Sequence, residues 1–238
     1  MKLEIGYNFP FEIRKETLNG NCKDNFSILF LSDLHLNFFT KTKIYEITNK
    51  IEDLNPTMIL FGGDYVDSKQ GLIQLKILLV SLSHRQNLFA IAGNHDYFFG
   101  IEKIKKTMEV NNVFWIEKES IHLRINNTTI RITGNLMKNE EKKSDFSILV
   151  LHNPNSIEQL KEHHDTVFAG HLHGCQFVFW KKEGALYPGK FFYKWNILKA
   201  TKDGCHYFIS KGLGDTLPVR FNCKRDMIFL QVNGNRKD

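Results

Sequence analysis

Five short apolar runs in this chain each lead into Asp, Asn or His, the residue types that ligate metals, and this pattern narrows the fold more than any other feature of its 238 residues. The runs cover 27–31, 57–61, 87–92, 147–151 and 166–169. After them stand, in turn, Asp33-Leu34-His35, Asp64, Asn94-His95-Asp96, His152 and His171-Leu172-His173. Apolar runs this short, bounded by polar turns, read as buried strands. Between the first three, Ile44, Ile47, Ile51 and Leu54, and then Leu72, Leu75, Leu79 and Leu82, recur at steps of three and four. That is the stripe of an amphipathic helix, and Asn55-Pro56 ends the first of the two. A third helix is expected over about 101–110. Strand alternating with helix implies a parallel α/β sheet, whose ligands bind at the carboxyl ends of the strands.

The second half reads as richer in β-structure. Residues 121–125 and 129–133 alternate across Asn126-Asn127, a hairpin signal. A helix is expected over 154–163, and strands near 176–181, 191–197, 205–210 and 226–232. Residues 138–145 read as an exposed polar loop and 233–238 as a frayed tail. No repeat or linker interrupts the chain, so one domain over 1–238, with its core in 27–232, is expected. No apolar run reaches the ~18 residues of a membrane span, and Met1–Gly6 lacks a signal pattern. The four cysteines, Cys22, Cys175, Cys205 and Cys223, form no C-x-x-C pair, which suits a reducing cytoplasm. A net charge of +6 and a pI near 9.0 favour anionic partners.

Carboxylate and imidazole together suit Mn, Fe or Zn, whereas Mg or Ca would lean on oxygen alone. Two such metals can clamp a phosphoryl group and supply the attacking hydroxide. Asp64, in the middle of the set, is the candidate bridge. Gly62, Gly63, Gly93 and Gly170 precede ligands and let backbone come close to the metals. The chain has no G-x-S-x-G, no Cys-Arg loop and no P-loop, so covalent catalysis and P-loop NTPase chemistry are not expected.

Asp33-x-His35, Gly62-Gly63-Asp64, Gly93-Asn94-His95-Asp96, His152 and Gly170-His171-x-His173 resemble the ordered motif set of the calcineurin-like metallophosphoesterases, over about residues 27–175. The resemblance implies a four-layer α/β/β/α sandwich. It implies that Asp33, His35, Asp64 and His173 hold one divalent ion and that Asp64, Asn94, His152 and His171 hold the other, with Mn first and Fe or Zn as alternatives. It makes His95 the histidine that faces the substrate phosphate, oriented by Asp67. Within the family, the segments 210–214 and 217–221 are similar to the closing strand–turn–strand of the bacterial YkuE/YaeI-type phosphodiesterases. Cys175 stands where that group has the second glycine of G-H-x-H-G-G-Q.

The activity implied is hydrolysis of a phosphodiester or pyrophosphate bond. The substrate suggested is lipid-linked, such as UDP-2,3-diacylglucosamine of lipid A synthesis, with peripheral contact to an anionic membrane at its inner face. Nuclease or cyclic-nucleotide phosphodiesterase activity is the alternative, with nucleic acid as the second-ranked partner. A non-catalytic metal-binding scaffold is the third reading, and the full ligand set with His95 argues against it. No obligate protein partner is evident.

The segment 176–199 holds eight aromatics in 24 residues, against 13% for the chain, with five lysines and only Glu183 opposing them. An aromatic, basic rim for a lipid, a base-stacking surface and a hairpin with buried aromatics all fit. Phe177, Trp180 and Arg220 are the candidate substrate contacts. Asp96 is expected to fix a backbone turn, and Cys175 either to pack as a small residue or to make the site sensitive to oxidation. His84, His122, His163, His164 and His206 read as surface or packing residues.

Overall fold

Apolar runs with no polar gap must be covered on both faces, and here they are the central strands of two sheets packed face to face. The structure is a computed structural model and describes residues 1–7, 10–135 and 143–235. In chain order its first half runs β1 (Leu3–Ile5), β2 (Glu12–Gly20), β3 (Phe26–Leu31), α1 (Lys41–Leu54), β4 (Met58–Phe61), α2 (Lys69–Ser81), β5 (Leu88–Ala90), α3 (Asn94–Phe99), α4 (Ile101–Glu109) and β6 (Val113–Trp115). The second half runs β7 (Ser120–Ile125), β8 (Thr128–Gly134), β9 (Phe146–Leu151), β10 (Thr166–Ala169), β11 (Val178–Lys182), β12 (Ala185–Pro188), β13 (Lys199–Lys202), β14 (Cys205–Ile209), β15 (Val219–Phe221) and β16 (Asp226–Gly234).

One six-stranded sheet has the order β2-β16-β3-β4-β5-β6 and the other β13-β14-β10-β9-β8-β7. Strands β3 to β6 are parallel, as the strand–helix alternation requires. Strand β16 enters between β2 and β3, parallel to the first and antiparallel to the second. Two short pairs, β1 with β15 and β11 with β12, lie outside the main sheets.

The α/β sandwich expected of the sequence is present, in layers that match its apolar patterns. Ile44, Ile47 and Ile51 of α1 and Leu75, Leu78 and Leu79 of α2 cover the outer face of the first sheet. Phe30, Leu60 and Ile228 meet Ile148, Phe168 and Phe208 between the sheets. The outer face of the second sheet is covered more thinly, by Ile157, Leu160 and Trp195. Helix α1 ends at Asn55, whose φ of 42° is left-handed, directly before Pro56. Ser68 caps α2 by accepting the Gly71 N–H at 3.0 Å.

Several expectations are corrected. Residues 154–163 hold a 3₁₀ helix, Pro154–Gln159, that stops at an extended Leu160. Only Ile157 and Leu160 join the hydrophobic cluster there, with Pro154 buried at the start, too few for an α-helical stripe. Residues 191–197 form no strand: a 3₁₀ turn, Gly189–Phe191, and irregular chain carry the aromatics, and the strands are β12 and β13 instead. The expected frayed tail is strand as far as Gly234, and 236–238 lie outside the described residues. Of the expected loop 138–145, residues 138–142 also lie outside them, and 143–145 carry no regular structure.

Candidate metal centre

The carboxyl ends of β3, β4, β9 and β10 open into short loops with an unusual backbone. Asp33, His35, Asp64, His171 and His173 all have φ between 43° and 68°. Left-handed backbone is costly for residues with a Cβ, and several together mark a functional site held by its surroundings. The holding bonds are evident. Asp33 N–H donates to Gly63 O and His35 N–H to Asp64 O, both at 3.0 Å, joining the first two ligand loops. The buried Asp96 accepts the N–H groups of Gly93 at 2.7 Å, Asp64 at 2.8 Å and Tyr65 at 2.9 Å, which is the turn-fixing role the sequence suggested. Burial pushes its carboxyl up to about 6 despite those bonds.

The ligand atoms fall into overlapping clusters, each within 4.8 Å: Asp33, His35 and His173; His35, Asp64 and His95; Asp64, His152 and His171. Asp64 is common to two of them. Its Oδ2 lies 3.8 Å from His35 Nε2 on one side and 3.2 Å from His152 Nε2 on the other. Asn94 Oδ1 is 2.9 Å from His152 Nε2, and His171 Nδ1 is 3.1 Å from the same nitrogen. His173 Nε2 lies 3.6 Å from Asp33 Oδ1. The structure therefore brings together all seven residues for which a ligand role is expected.

The tautomers follow from what each ring meets. His152 Nδ1 faces Gly62 O at 2.8 Å, and a carbonyl can only accept, so Nδ1 donates and Nε2 carries the lone pair when the ring is neutral. His35 Nδ1 donates to the Asp67 carboxylate at 2.9 and 3.1 Å, leaving Nε2 as the lone-pair nitrogen. That Nε2 is buried without a hydrogen-bond partner, an arrangement that a metal ion would satisfy. Carboxylates, imidazoles and an amide oxygen form a donor set that fits divalent metals.

Charge is tightly balanced. Burial raises the Asp33 carboxyl. Burial alone would lower His152, but its bond to Asp64 and the charges of Asp33 and Asp64 carry it up to about 9. Burial and then the cationic His35 and Arg220 hold His173 well below the usual range, so it stays neutral and ready to ligate. Glycines leave room for these groups. A Cβ on Gly93 would lie 2.2 Å from Asp64 Oδ1 and 2.7 Å from His152 Cε1, and one on Gly170 would lie 2.4 Å from Asp33 Oδ2.

His95 stands at the mouth, its ring 4.7 Å from that of His35 and its N–H on Asp64 Oδ1 at 2.8 Å. Asp67 does reach His95, at 3.4 Å, but its shorter bonds go to His35, so it supports both rings. The three candidate substrate contacts are not gathered at this centre. Arg220 is fully buried. It binds Asp215 Oδ1 at 2.6 Å and donates to the carbonyls of Lys211 and Gly214, with Nη2 3.3 Å behind His173. It cannot reach a phosphate, because its donors are spent on its own loop. Phe177 is half-buried, bridged to Phe221, and Trp180 is exposed on β11, stacked on Tyr187. Cys175 has a φ of 57° and packs toward Gly189, and burial pushes its thiol up to about 11, which removes thiolate reactivity.

Reasoning from sequence missed the polar support behind the site. Asp215 pairs with Arg225 as well as Arg220, and Arg225 reaches Glu4 of β1 at 2.9 Å. No spacing in the sequence signals these contacts.

The family model described as calcineurin-like phosphoesterase matches residues 26–175. The chain is similar to the uncharacterized metallophosphoesterase YkoQ of Bacillus subtilis, 25% identical over 93% of this chain and 91% of that one. It is 28% identical to the phosphodiesterase YaeI of Escherichia coli, over 88% of this chain and 84% of YaeI. It is 26% identical to the UDP-2,3-diacylglucosamine pyrophosphatase LpxG of Chlamydia muridarum, over 63% of this chain and 64% of LpxG. Among solved structures, GAP50 of Plasmodium superposes with a TM-score of 0.50 at 13% identity, over 87% of this chain and 80% of that one, a likeness of fold.

Proposed function

The chain belongs to the calcineurin-like phosphoesterase family and is a metal-dependent phosphoesterase, and on that premise we propose that it hydrolyses the phosphodiester or pyrophosphate bond of a lipid-linked substrate with two divalent ions, Mn first. Asp33, His35, Asp64 and His173 would hold one ion and Asp64, Asn94, His152 and His171 the other. The observation that carries this reading is the Asp64 carboxylate lying between two imidazole clusters. The ions would supply Lewis acidity toward the phosphoryl oxygens and a more acidic water.

The remaining chemistry belongs to the chain. His95, half-buried at the mouth and steadied by Asp67, donates a hydrogen bond to a phosphoryl oxygen and a proton to the departing oxygen. Asp67 keeps His35 in the tautomer that presents Nε2, and Gly62 O does the same for His152. Gly93 keeps the space between Asp64 and His152 clear.

Two observations support a lipid-linked substrate. The relative LpxG is named for one, and the segment after His173 carries exposed Phe179, Trp180 and Phe191 beside Lys181 and Lys182. A substrate of this kind sits in a bilayer, so the enzyme would work as a peripheral protein at the inner membrane face. Purified protein should hydrolyse bis-p-nitrophenyl phosphate with Mn, lose that activity and its metal with Asp64→Ala, and cleave UDP-2,3-diacylglucosamine. Full diesterase activity in excess chelator would end the two-metal reading. Turnover of cyclic nucleotides or single-stranded DNA, with none of the acylated nucleotide, would replace the lipid by a nucleotide.

A further inference from the structure

The loops around the mouth leave apolar rings in water that the chemistry does not use. Phe38 and Phe39 follow His35 by three and four residues and are 72% and 60% exposed. Phe98 is 86% exposed, its ring 6.4 Å from that of His95. Across the mouth, beyond His173, Phe179 and Phe192 are exposed as well. A large aromatic ring held in solvent is costly, and a contiguous set marks an interaction surface.

Ring contacts and loop hydrogen bonds link part of this set, while Phe98 meets His95. The rings of Phe38 and Phe39 lie 5.5 Å apart, and Phe39 stacks on Tyr7 at 5.7 Å. Next to Tyr7, Gly6 N–H donates to Pro218 O at 2.8 Å. The exposed Leu217 beside that proline is tied to the Gln176 side chain at 2.6 and 3.1 Å. Gln176 leads into the Phe177–Phe221 bridge, and Phe221 meets Phe179 at 5.4 Å. The loop behind His35 is thus tied to the hairpin behind His173, with exposed apolar groups at both ends.

The charges beside the 38–39 loop and the hairpin are mostly positive. Lys41, Lys181 and Lys182 are exposed there, and none of them forms an ion pair among the described residues. Glu183, at the hairpin turn, is the one exposed acid in 176–193. Apolar rings flanked by lysines fit an interface where acyl chains lie beneath anionic headgroups. Nucleic acid would use the lysines but gives no reason for aromatics on loops as far apart as 38–39 and 98.

We infer that this rim is a membrane-docking surface: Phe38, Phe39, Phe98, Phe179 and Phe192 enter an anionic bilayer, Lys41, Lys181 and Lys182 meet its headgroups, and the metal centre faces the interface. The inference rests on the lipid-linked reading and specifies how the enzyme meets that substrate. The site would then cleave a headgroup without drawing the lipid out of the membrane.

Vesicles of phosphatidylcholine, with and without phosphatidylglycerol, test it by co-sedimentation. The wild-type protein should bind the anionic vesicles and release from them as salt rises from about 0.1 M to 1 M. Lys181→Gln with Lys182→Gln should weaken partitioning by about tenfold or more. Phe38→Ser with Phe39→Ser should do likewise, because two rings lose their apolar burial. Both variants should hydrolyse bis-p-nitrophenyl phosphate at the wild-type rate, which also shows that they fold. In the wild-type protein, brominated acyl chains should quench part of the tryptophan fluorescence, since Trp180, next to Phe179, is the exposed one of three tryptophans. Absence of vesicle binding, binding that the substitutions leave unchanged, or no quenching would overturn the inference, even with diesterase activity intact. Substitutions that alter oligomeric state or affinity for single-stranded DNA, and not vesicle binding, would overturn it equally. Loss of diesterase activity in the wild-type protein would strike the proposed function instead.

Discussion

Adding one methyl group at Gly93 should disable the proposed centre without replacing any of its ligands. The backbone there has φ −104° and ψ 176°, which alanine adopts freely, so strain does not enter. The effect is steric. The new Cβ would stand 2.2 Å from Asp64 Oδ1, 2.5 Å from Asp64 N and 2.7 Å from His152 Cε1. Ordinary contact begins at 3.4 Å, so the Asp64 carboxylate must withdraw by 1.2 Å. Asp64 cannot swing away cheaply, because its Oδ1 holds the His95 N–H and its own N–H is fixed by Asp96. Displacing a reacting group by about 1 Å costs roughly a hundredfold in rate. Crowding of a packed site costs about 1–3 kcal/mol of stability. For a chain of this length that lowers the melting temperature by roughly 2–12 °C. Gly93→Ala should therefore stay folded by circular dichroism, lose about two orders of magnitude in kcat/KM on bis-p-nitrophenyl phosphate, and bind less metal by elemental analysis. A variant within about threefold of wild-type kcat/KM, with full metal content, would refute the placement of Asp64 against Gly93.

Three further outcomes follow from the same geometry. His95→Ala should lose most of its activity and keep both metals if, as proposed, the ring serves the phosphoryl group and not the ions; an emptied site by elemental analysis would make His95 a ligand. His152, raised to about 9 in the metal-free protein, is protonated at neutral pH and must shed that proton to ligate. Metal affinity should therefore rise with pH, by about tenfold per unit between roughly pH 7 and 9, with proton release seen by titration calorimetry in buffers of different ionisation enthalpy; a flat profile would remove the His152–Asp64 charge pair from the account. Arg220→Leu should cost roughly 3–5 kcal/mol in denaturant unfolding, since it leaves one side of the buried Asp215 carboxylate unpaired. A loss below about 1 kcal/mol, the value of a surface pair, would contradict that burial.

The candidate centre was legible because each proposed ligand follows a fully buried strand by one to four residues, so chain direction alone delivers Asp33, Asp64, His152 and His171 to one edge. Helices α1 and α2 were legible for a similar reason, their leucines and isoleucines standing at helical spacing. Strand β2 was not. Its sequence, Glu12–Gly20, is mostly polar, and it is a strand because β16 pairs with it over nine residues. Residues 191–197 misled through their aromatic content. Trp195 turns inward and donates to Glu158 at 2.8 Å, while Phe191 and Phe192 point to water, so the segment never alternates as a strand must. Arg220 was read as a candidate substrate contact because its partners Asp215 and Lys211 lie in a loop with no periodic signal.

The position of β16 has a consequence for the order in which this protein comes into being. Strands β2 and β3 follow one another in the chain but do not pair; they are neighbours of β16, which is made some two hundred residues later. Asp226, its first residue, accepts Ser210 Oγ–H and Lys211 N–H at 2.8 Å. Those bonds fold the loop whose Gly212 lies against Asp33 and His173. A nascent chain therefore carries every proposed metal ligand long before it can close the sheet that backs them. Until residues 226–234 emerge, β3 lacks a neighbour on that side and β2 has no partner in the sheet. This late, long-range closure is the slow and aggregation-prone kind of step. Catalytic competence on the ribosome should thus trail the synthesis of the last ligand, His173, by more than fifty residues.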